Sequence, residues 1–128
     1  LGVIDFQDAL IGHRAYDLAA LLQDARVDVP QTLEQDLLAY YLTAASRDPQ
    51  FDAAEFTRAY ATLGAQRATK ILGIFVRLNK RDGKPAYLRH IPRIAGYLAR
   101  NLEHPDLADL KAWHAQHLPN LLSPRILA

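Results

Sequence analysis

Apolar residues recur three and four positions apart along most of the chain, which is the spacing that places them on one face of a helix. The exception is residues 2–6, a continuous apolar run that predicts a short buried strand. Helices are predicted over about residues 13–25, 32–45, 52–79, 87–102 and 105–118. The pattern therefore predicts a mainly α fold with a short β remnant at the N-terminus.

Local signals mark where some of these helices begin. Thr32, with Gln35 three residues later, is typical of a capping box at the start of the second helix. Asp52 stands where it would cap the long third helix. Gly64 and Gly73 interrupt that helix, and we expect another element to pack closely at these positions.

Composition agrees with one helical domain. Leu and Ala supply 42 of the 128 residues, and half of the chain is hydrophobic, so a sizeable core is expected. Cysteine is absent, which excludes disulfide scaffolds, cysteine-ligated zinc and thiol nucleophiles. No apolar run approaches a membrane span and no signal peptide is present, so a cytoplasmic protein is expected. Because the chain lacks an initial Met, we expect it to be a single domain, residues 1–128, cut from a longer polypeptide.

Charge is +1 overall but is unevenly distributed. Residues 1–60 carry 10 acidic and 4 basic residues, whereas residues 61–100 carry 9 basic residues and 1 acidic one. The basic segment could attract phosphates or other anions, or it could neutralise the acidic first half within one fold. The sequence alone leaves both possibilities open.

Two carboxylates stand in apolar surroundings and are candidates for chemistry. Asp5 ends the predicted strand, where it could hold Mg²⁺ against phosphates or simply cap a turn. Asp17 lies among apolar residues of the first helix. If it is buried, it must accept hydrogen bonds, most simply from an adjacent loop; alternatively, it is exposed in the first helical turn.

A family resemblance covers nearly the whole chain. Residues 4–9, Ile-Asp-Phe-Gln-Asp-Ala, followed by Gly12 and by Tyr-Asp-Leu-Ala at 16–19, resemble the C-terminal lobe of the aminoglycoside phosphotransferases. These enzymes are similar in fold to protein kinases and choline kinases. Together with residues 72–78 and 81–84, the motif most resembles bacterial kinases of N-acetylmuramate and N-acetylglucosamine.

The resemblance implies ATP as co-substrate, Mg²⁺ as cofactor and an amino sugar as acceptor. Asp5 matches the metal-binding Asp of the kinase Asp-Phe-Gly motif, and Asp17 matches the helix Asp that braces the catalytic loop. Asp8 lies where a second cleft acid would contact substrate. The glycine-rich loop, the phosphate-binding Lys and the catalytic loop of the family are absent from the sequence, so we expect the chain alone to be inactive.

Basic residues of the long helix are candidates for the acceptor site. Arg67, Lys70 and Arg77 are spaced three and seven apart and could meet an acceptor carboxylate or phosphate. The alternative is a solvated face, or pairing with the acidic first half. Membrane binding is not expected, and the resemblance makes nucleic acid a lesser candidate than a nucleotide and a small acceptor.

A non-enzymatic binding module is the alternative function. It would place Arg77, Lys80, Arg81, Arg89 and Arg93 on one exposed surface facing nucleic acid or a protein. An inactive kinase-like scaffold is a third possibility, which only the absent catalytic loop could distinguish from an active enzyme.

Overall fold

The computed structural model describes residues 11–121, and this part of the chain is helical without any strand. Asp5, Asp8 and the predicted strand at residues 2–6 lie outside the described residues. Two 3₁₀ helices, Pro85–His90 and Pro105–Leu107, precede the fourth and fifth α-helices. The α-helices are α1, Ala15–Leu22; α2, Gln31–Ala45; α3, Ala53–Asp82; α4, Ile91–Asn101; and α5, Ala108–His117. The predicted mainly α fold is confirmed, and none of the described helices is long and apolar enough to cross a bilayer.

The 30-residue helix α3 is the central element, and α1 and α4 both pack along it. Its start confirms the prediction, because the Asp52 carboxylate accepts the backbone N–H groups of Ala54 (2.9 Å) and Glu55 (3.0 Å). It ends at Asp82, three residues beyond the predicted Asn79, and the next residue, Gly83, adopts a left-handed φ of 63°. Glycine takes that conformation without steric cost, so it is well suited to end the helix.

Two apolar clusters share α3. Its first half packs Phe56 and Tyr60 against Ala15, Ala19 and Leu22 of α1. Its second half packs against α4 and the second 3₁₀ helix through Ala65, Ala68, Leu72, Phe75, Ile94, Leu98, Leu102 and Leu107. Small residues at the middle of α3 allow the neighbouring helices to approach closely.

Other helix boundaries also differ from the sequence predictions: the predicted fourth and fifth helices begin as 3₁₀ turns, and α1 and α2 differ as follows. α1 ends at Leu22 rather than near Ala25, because the Asp24 carboxylate accepts the N–H groups of Arg26 and Val27 (both 2.7 Å) and closes a turn. α2 begins at Gln31 after Pro30 with no side-chain cap, so the predicted Thr32 capping box is wrong. Proline's fixed φ lets the chain turn directly into the helix there, which leaves Thr32 inside the first turn.

A buried polar network joins four helices. The Gln23 and Asn101 side-chain amides exchange two hydrogen bonds (3.1 and 2.8 Å). Gln23 also donates to the Glu34 carboxylate (2.8 Å), which accepts from the Tyr60 hydroxyl (2.9 Å) and from Arg100 (2.7 Å). Burial and the neighbouring Glu34 carboxylate raise the pKa of Tyr60, which keeps the hydroxyl a donor. Glu34 is the one buried residue of α2, so this carboxylate anchors that helix.

The network requires a glycine beside it. A Cβ added at Gly64 would lie 2.6 Å from Asn101 Nδ2 and 2.8 Å from Gln23 Oε1. The expectation of close packing at Gly64 is therefore confirmed. The same expectation for Gly73 is wrong, because nothing lies within 4 Å of a Cβ there.

We predict opposite effects for alanine at these two glycines. Gly64→Ala should destabilise the protein by about 1–3 kcal/mol, because the new methyl group overpacks the amide pair. Gly73→Ala, in the same helix, should be neutral or stabilise by up to about 1 kcal/mol, since Ala favours a helix over Gly. Thermal unfolding midpoints measure both changes, and equal shifts for the two variants would contradict the close contact at Gly64.

We also predict that Glu34→Ala destabilises the protein by roughly 3–5 kcal/mol, since it leaves Arg100, Tyr60 and Gln23 without their shared acceptor. The matched control is Gln35→Ala, whose exposed side chain makes no hydrogen bond within the described residues. Denaturant unfolding compares the two variants. A Glu34→Ala loss no larger than that of the control would show that the network does not hold α2.

Candidate functional site

His13, two residues beyond the start of the described chain, fixes the entry into α1. Its Nδ1 accepts the N–H of Ala15 (3.1 Å), so in the neutral ring the proton is on Nε2. Nε2 lies 3.1 Å from a carboxylate oxygen of Glu55, at the start of α3. This contact ties the segment that follows Asp5 and Asp8 in the sequence to the central helix.

Asp17 lies in the first turn of α1 and is exposed, so of the two alternatives the exposed one is correct. The apolar pattern explains why: Ala15 and Ala19 face α3, and a residue two positions from each points to the opposite side. Within residues 11–121 the Asp17 carboxylate accepts no hydrogen bond. It is therefore available to donors outside the described part of the chain.

The three basic candidates of α3 do not share one environment. The Arg67 guanidinium lies over the Tyr16 ring, 5.5 Å from its centroid, and is partly buried beside α1. Lys70 and Arg77 are exposed. Of the predicted stripe, Arg67 is thus the member that lies next to the first turn of α1.

A second arginine, which the sequence analysis did not select, lies close to Arg67. The Asp24 turn that ends α1 holds the backbone of Arg26, and both Arg26 and Arg67 border one cavity of about 250 Å³. An Asp followed two residues later by Arg, at the end of the predicted first helix, was the available signal. It was hidden because the pattern extended α1 to Ala25.

This cavity adjoins another of about 320 Å³, with Arg26 and Tyr87 lining both. We call the combined depression the arginine groove, defined by Arg26, Arg67, Arg89 and His90 over an apolar floor of Ile71, Ile74, Phe75 and Tyr87. Its one carboxylate is Asp24. The groove therefore has a net positive lining.

Two further cavities differ in character. One of about 390 Å³ opens beside the buried network and is bordered by Glu34, Tyr60, Arg100 and Asn101. Another, of about 430 Å³, lies between α4 and α5 beside the buried His114. Burial lowers the pKa of His114, so this ring is neutral near pH 7.

No cluster of three or more metal-ligating side chains occurs among residues 11–121. His114 and His117, three residues apart, do not form a paired site, because His114 is buried while His117 is exposed. Both rings pack against Trp113, at centroid distances of 5.3 and 5.0 Å. The predicted metal ligand, Asp5, lies outside the described residues.

The surface needed for the alternative binding module is partly neutralised. Arg81 pairs with Asp82 (2.6 Å) and Arg93 with Asp28 (3.2 Å). Arg77, Lys80 and Arg89 are exposed. Two of the five cations assigned to a nucleic-acid face are thus held by carboxylates, which weakens their attraction for phosphates.

Comparison with known proteins identifies a matching family model and several similar proteins. Residues 1–56 match the family model APH, described as "Phosphotransferase enzyme family". An N-acetylmuramate/N-acetylglucosamine kinase of Caulobacter vibrioides is 45% identical over 119 residues, which is 93% of this chain and 32% of the relative. Kinases of the same name are 42% identical in Neisseria meningitidis, over 87% of this chain and 34% of the relative, and 40% identical in Pseudomonas putida, over 85% and 33%.

The chain spans about a third of the length of these curated relatives. The matches to the relatives cover 85–93% of this chain, and the helical architecture of the described residues fits a helical fragment of a kinase-like fold. They confirm the resemblance found in the sequence: the chain is similar to the APH phosphotransferase family over residues 1–56 and to N-acetylmuramate/N-acetylglucosamine kinases over most of its length.

Proposed function

We propose that the chain is the C-terminal helical lobe of a longer, cytoplasmic, ATP-dependent amino-sugar kinase. In the reaction, an acceptor hydroxyl attacks the γ-phosphorus of ATP, the hydroxyl proton is lost and ADP leaves. The observation that carries the proposal is 40–45% identity to N-acetylmuramate/N-acetylglucosamine kinases over 85–93% of this chain. The cytoplasm is proposed because it supplies ATP.

Asp5 is the residue that would hold Mg²⁺. A carboxylate is the hard oxygen ligand that this ion prefers, and the motif around Asp5 matches the metal-binding position of the family. The ion, when bound, offsets negative charge on the transferring phosphoryl group. The contribution of this chain to the reaction is therefore electrostatic rather than covalent.

Asp17 is the proposed brace of the catalytic loop. Its support is the exposed carboxylate in the first turn of α1, with no hydrogen bond inside the described chain. A loop placed against that turn can donate backbone N–H groups to it. In this role Asp17 is a positioning residue, since it acts through the loop.

The acceptor is proposed to lie along α1 and α3. Asp8, Arg67, Lys70 and Arg77 are its candidate contacts, and among the three basic residues Arg67 has the strongest support because it is fixed against Tyr16 beside α1. Lys70 and Arg77 are exposed on the same helix, where they would contact the acceptor only at the rim.

We predict that Asp5→Asn in the parent protein lowers kcat by about 100-fold or more, since stabilisation by a bound metal is worth several kcal/mol. The assay measures Mg²⁺-dependent ADP release with N-acetylmuramate, N-acetylglucosamine and an aminoglycoside as acceptors. Asp36→Asn, an exposed carboxylate of α2, is the matched control. An Asp5→Asn rate equal to that of the control would overturn the metal assignment, and inactivity of the wild type on both sugars would overturn the amino-sugar proposal.

The 128-residue chain by itself should not turn over ATP. Phosphoryl transfer requires the nucleotide and acceptor to be positioned together, and the family's nucleotide loop and catalytic loop are missing from this sequence. The check is ADP release by the purified chain beside the parent protein at equal concentration. Mg²⁺-dependent turnover by the chain alone would show that the missing segments are not needed.

A further inference from the structure

The arginine groove contains cations that the rest of the described chain does not neutralise. Within residues 11–121, the guanidinium groups of Arg26 and Arg67 form neither an ion pair nor a hydrogen bond. Other arginines of the fold have carboxylate partners: Arg93 pairs with Asp28 and Arg100 with Glu34. Two unpaired guanidinium groups at one cavity are an arrangement that an anion would complete.

The one acidic residue of the groove is already engaged. A single oxygen of Asp24 accepts the backbone N–H groups of both Arg26 and Val27. Burial raises the pKa of this carboxyl, but the two backbone hydrogen bonds and the charges of Arg26 and Arg67 outweigh burial and lower it. Asp24 therefore stays ionised and offsets only part of the positive charge beside it.

Positive charge also surrounds His90, which lines the other cavity of the groove. Burial, followed by the charges of Arg89, Arg93 and Arg26, lowers its pKa. Of these basic groups, Arg93 has a carboxylate partner within the described residues, Asp28, at 3.2 Å. Positive charge is thus present in both cavities of the groove, with Arg26 between them.

The positions of the two arginines are set by the fold. Arg26 follows α1 in the turn that Asp24 closes, and Arg67 lies over the Tyr16 ring. The Arg67 side chain is held by this ring contact, so it loses less entropy when it binds a ligand, whereas Arg26 is exposed and only its backbone is held. The floor of Ile71, Phe75 and Tyr87 adds an apolar surface for the carbon atoms that carry that group.

We propose that the arginine groove binds the carboxylate of an acidic amino-sugar acceptor, and that Arg26 together with Arg67 makes the enzyme select acidic over neutral amino sugars. This inference rests on the proposed function and assigns a substrate contact, Arg26, that lies outside the predicted basic stripe. A carboxylate carried on a short carbon substituent suits the groove, because the arginines meet its oxygens while the apolar floor meets its carbons.

The experiment compares kcat/KM of the parent protein for N-acetylmuramate, which bears a carboxylate, with that for N-acetylglucosamine, which is neutral. Arg26→Gln should lower the ratio of acidic to neutral kcat/KM by about 10- to 100-fold, the loss expected when a charge-assisted hydrogen bond is removed. Arg67→Gln should lower it in the same direction, and Arg26→Lys should restore part of it. Arg58→Gln, which removes an exposed arginine of α3 outside the groove, is the matched control and should leave the ratio within about twofold.

The outcomes separate this inference from the proposed function. An unchanged ratio in Arg26→Gln and Arg67→Gln, with both sugars affected equally, would overturn the inference and leave the kinase proposal standing. A raised KM for ATP with an unchanged ratio would identify the anion as a nucleotide phosphate, and would also overturn it. If the wild type phosphorylates neither sugar, the proposed function itself fails. The wild-type assay alone reveals this outcome, without the variants.

Discussion

The close approach of α1, α3 and α4 at Gly64 is the contact on which the rest of the arrangement depends. It leaves room for the Gln23–Asn101 amide pair, whose two hydrogen bonds join residues 78 positions apart in the sequence. Because Gln23 directly follows α1, the pair holds the end of this helix against α4, next to the turn that Asp24 closes. The backbone of Arg26 thus lies three residues from a contact that requires a glycine on a different helix.

Of the two possibilities that the uneven charge of the sequence left open, the structure shows neutralisation within the fold, and it shows it in part. The acidic first half neutralises part of the basic middle through Asp28–Arg93 and Glu34–Arg100. Arg26 and Arg67 stay unpaired within the described chain. Since exposed ion pairs add little stability, leaving these arginines unpaired costs the fold little and leaves their charge for a ligand.

Local signals predicted the helices well, because periodicity and capping depend on neighbours in the sequence. The Asp52 cap, the long α3 and the constraint at Gly64 were all visible in this way. The polar network was not, since Gln23, Glu34 and Asn101 meet only after the helices pack. The burial of Asp17 was open for a related reason: Ala15 and Ala19 face α3, but the apolar neighbours Tyr16 and Leu21 are themselves exposed, which the sequence pattern alone did not reveal. The Thr32 box failed because a capping motif cannot act once the preceding proline has already started the helix.

Helix α1 links the two ends of the candidate site at a fixed separation. Its entry is held by His13 against Glu55, and its exit by Gln23 against Asn101, so both ends are tied to the packed body of the fold. Eight helical residues span about 12 Å. Arg67 of α3 lies beside both regions, because it contacts the Tyr16 ring in the first turn of α1 and borders the same cavity as Arg26. The two anchored ends of α1 thus fix how far the backbone of Arg26 lies from the first turn that carries Asp17, and Arg67 is the basic residue that connects the two.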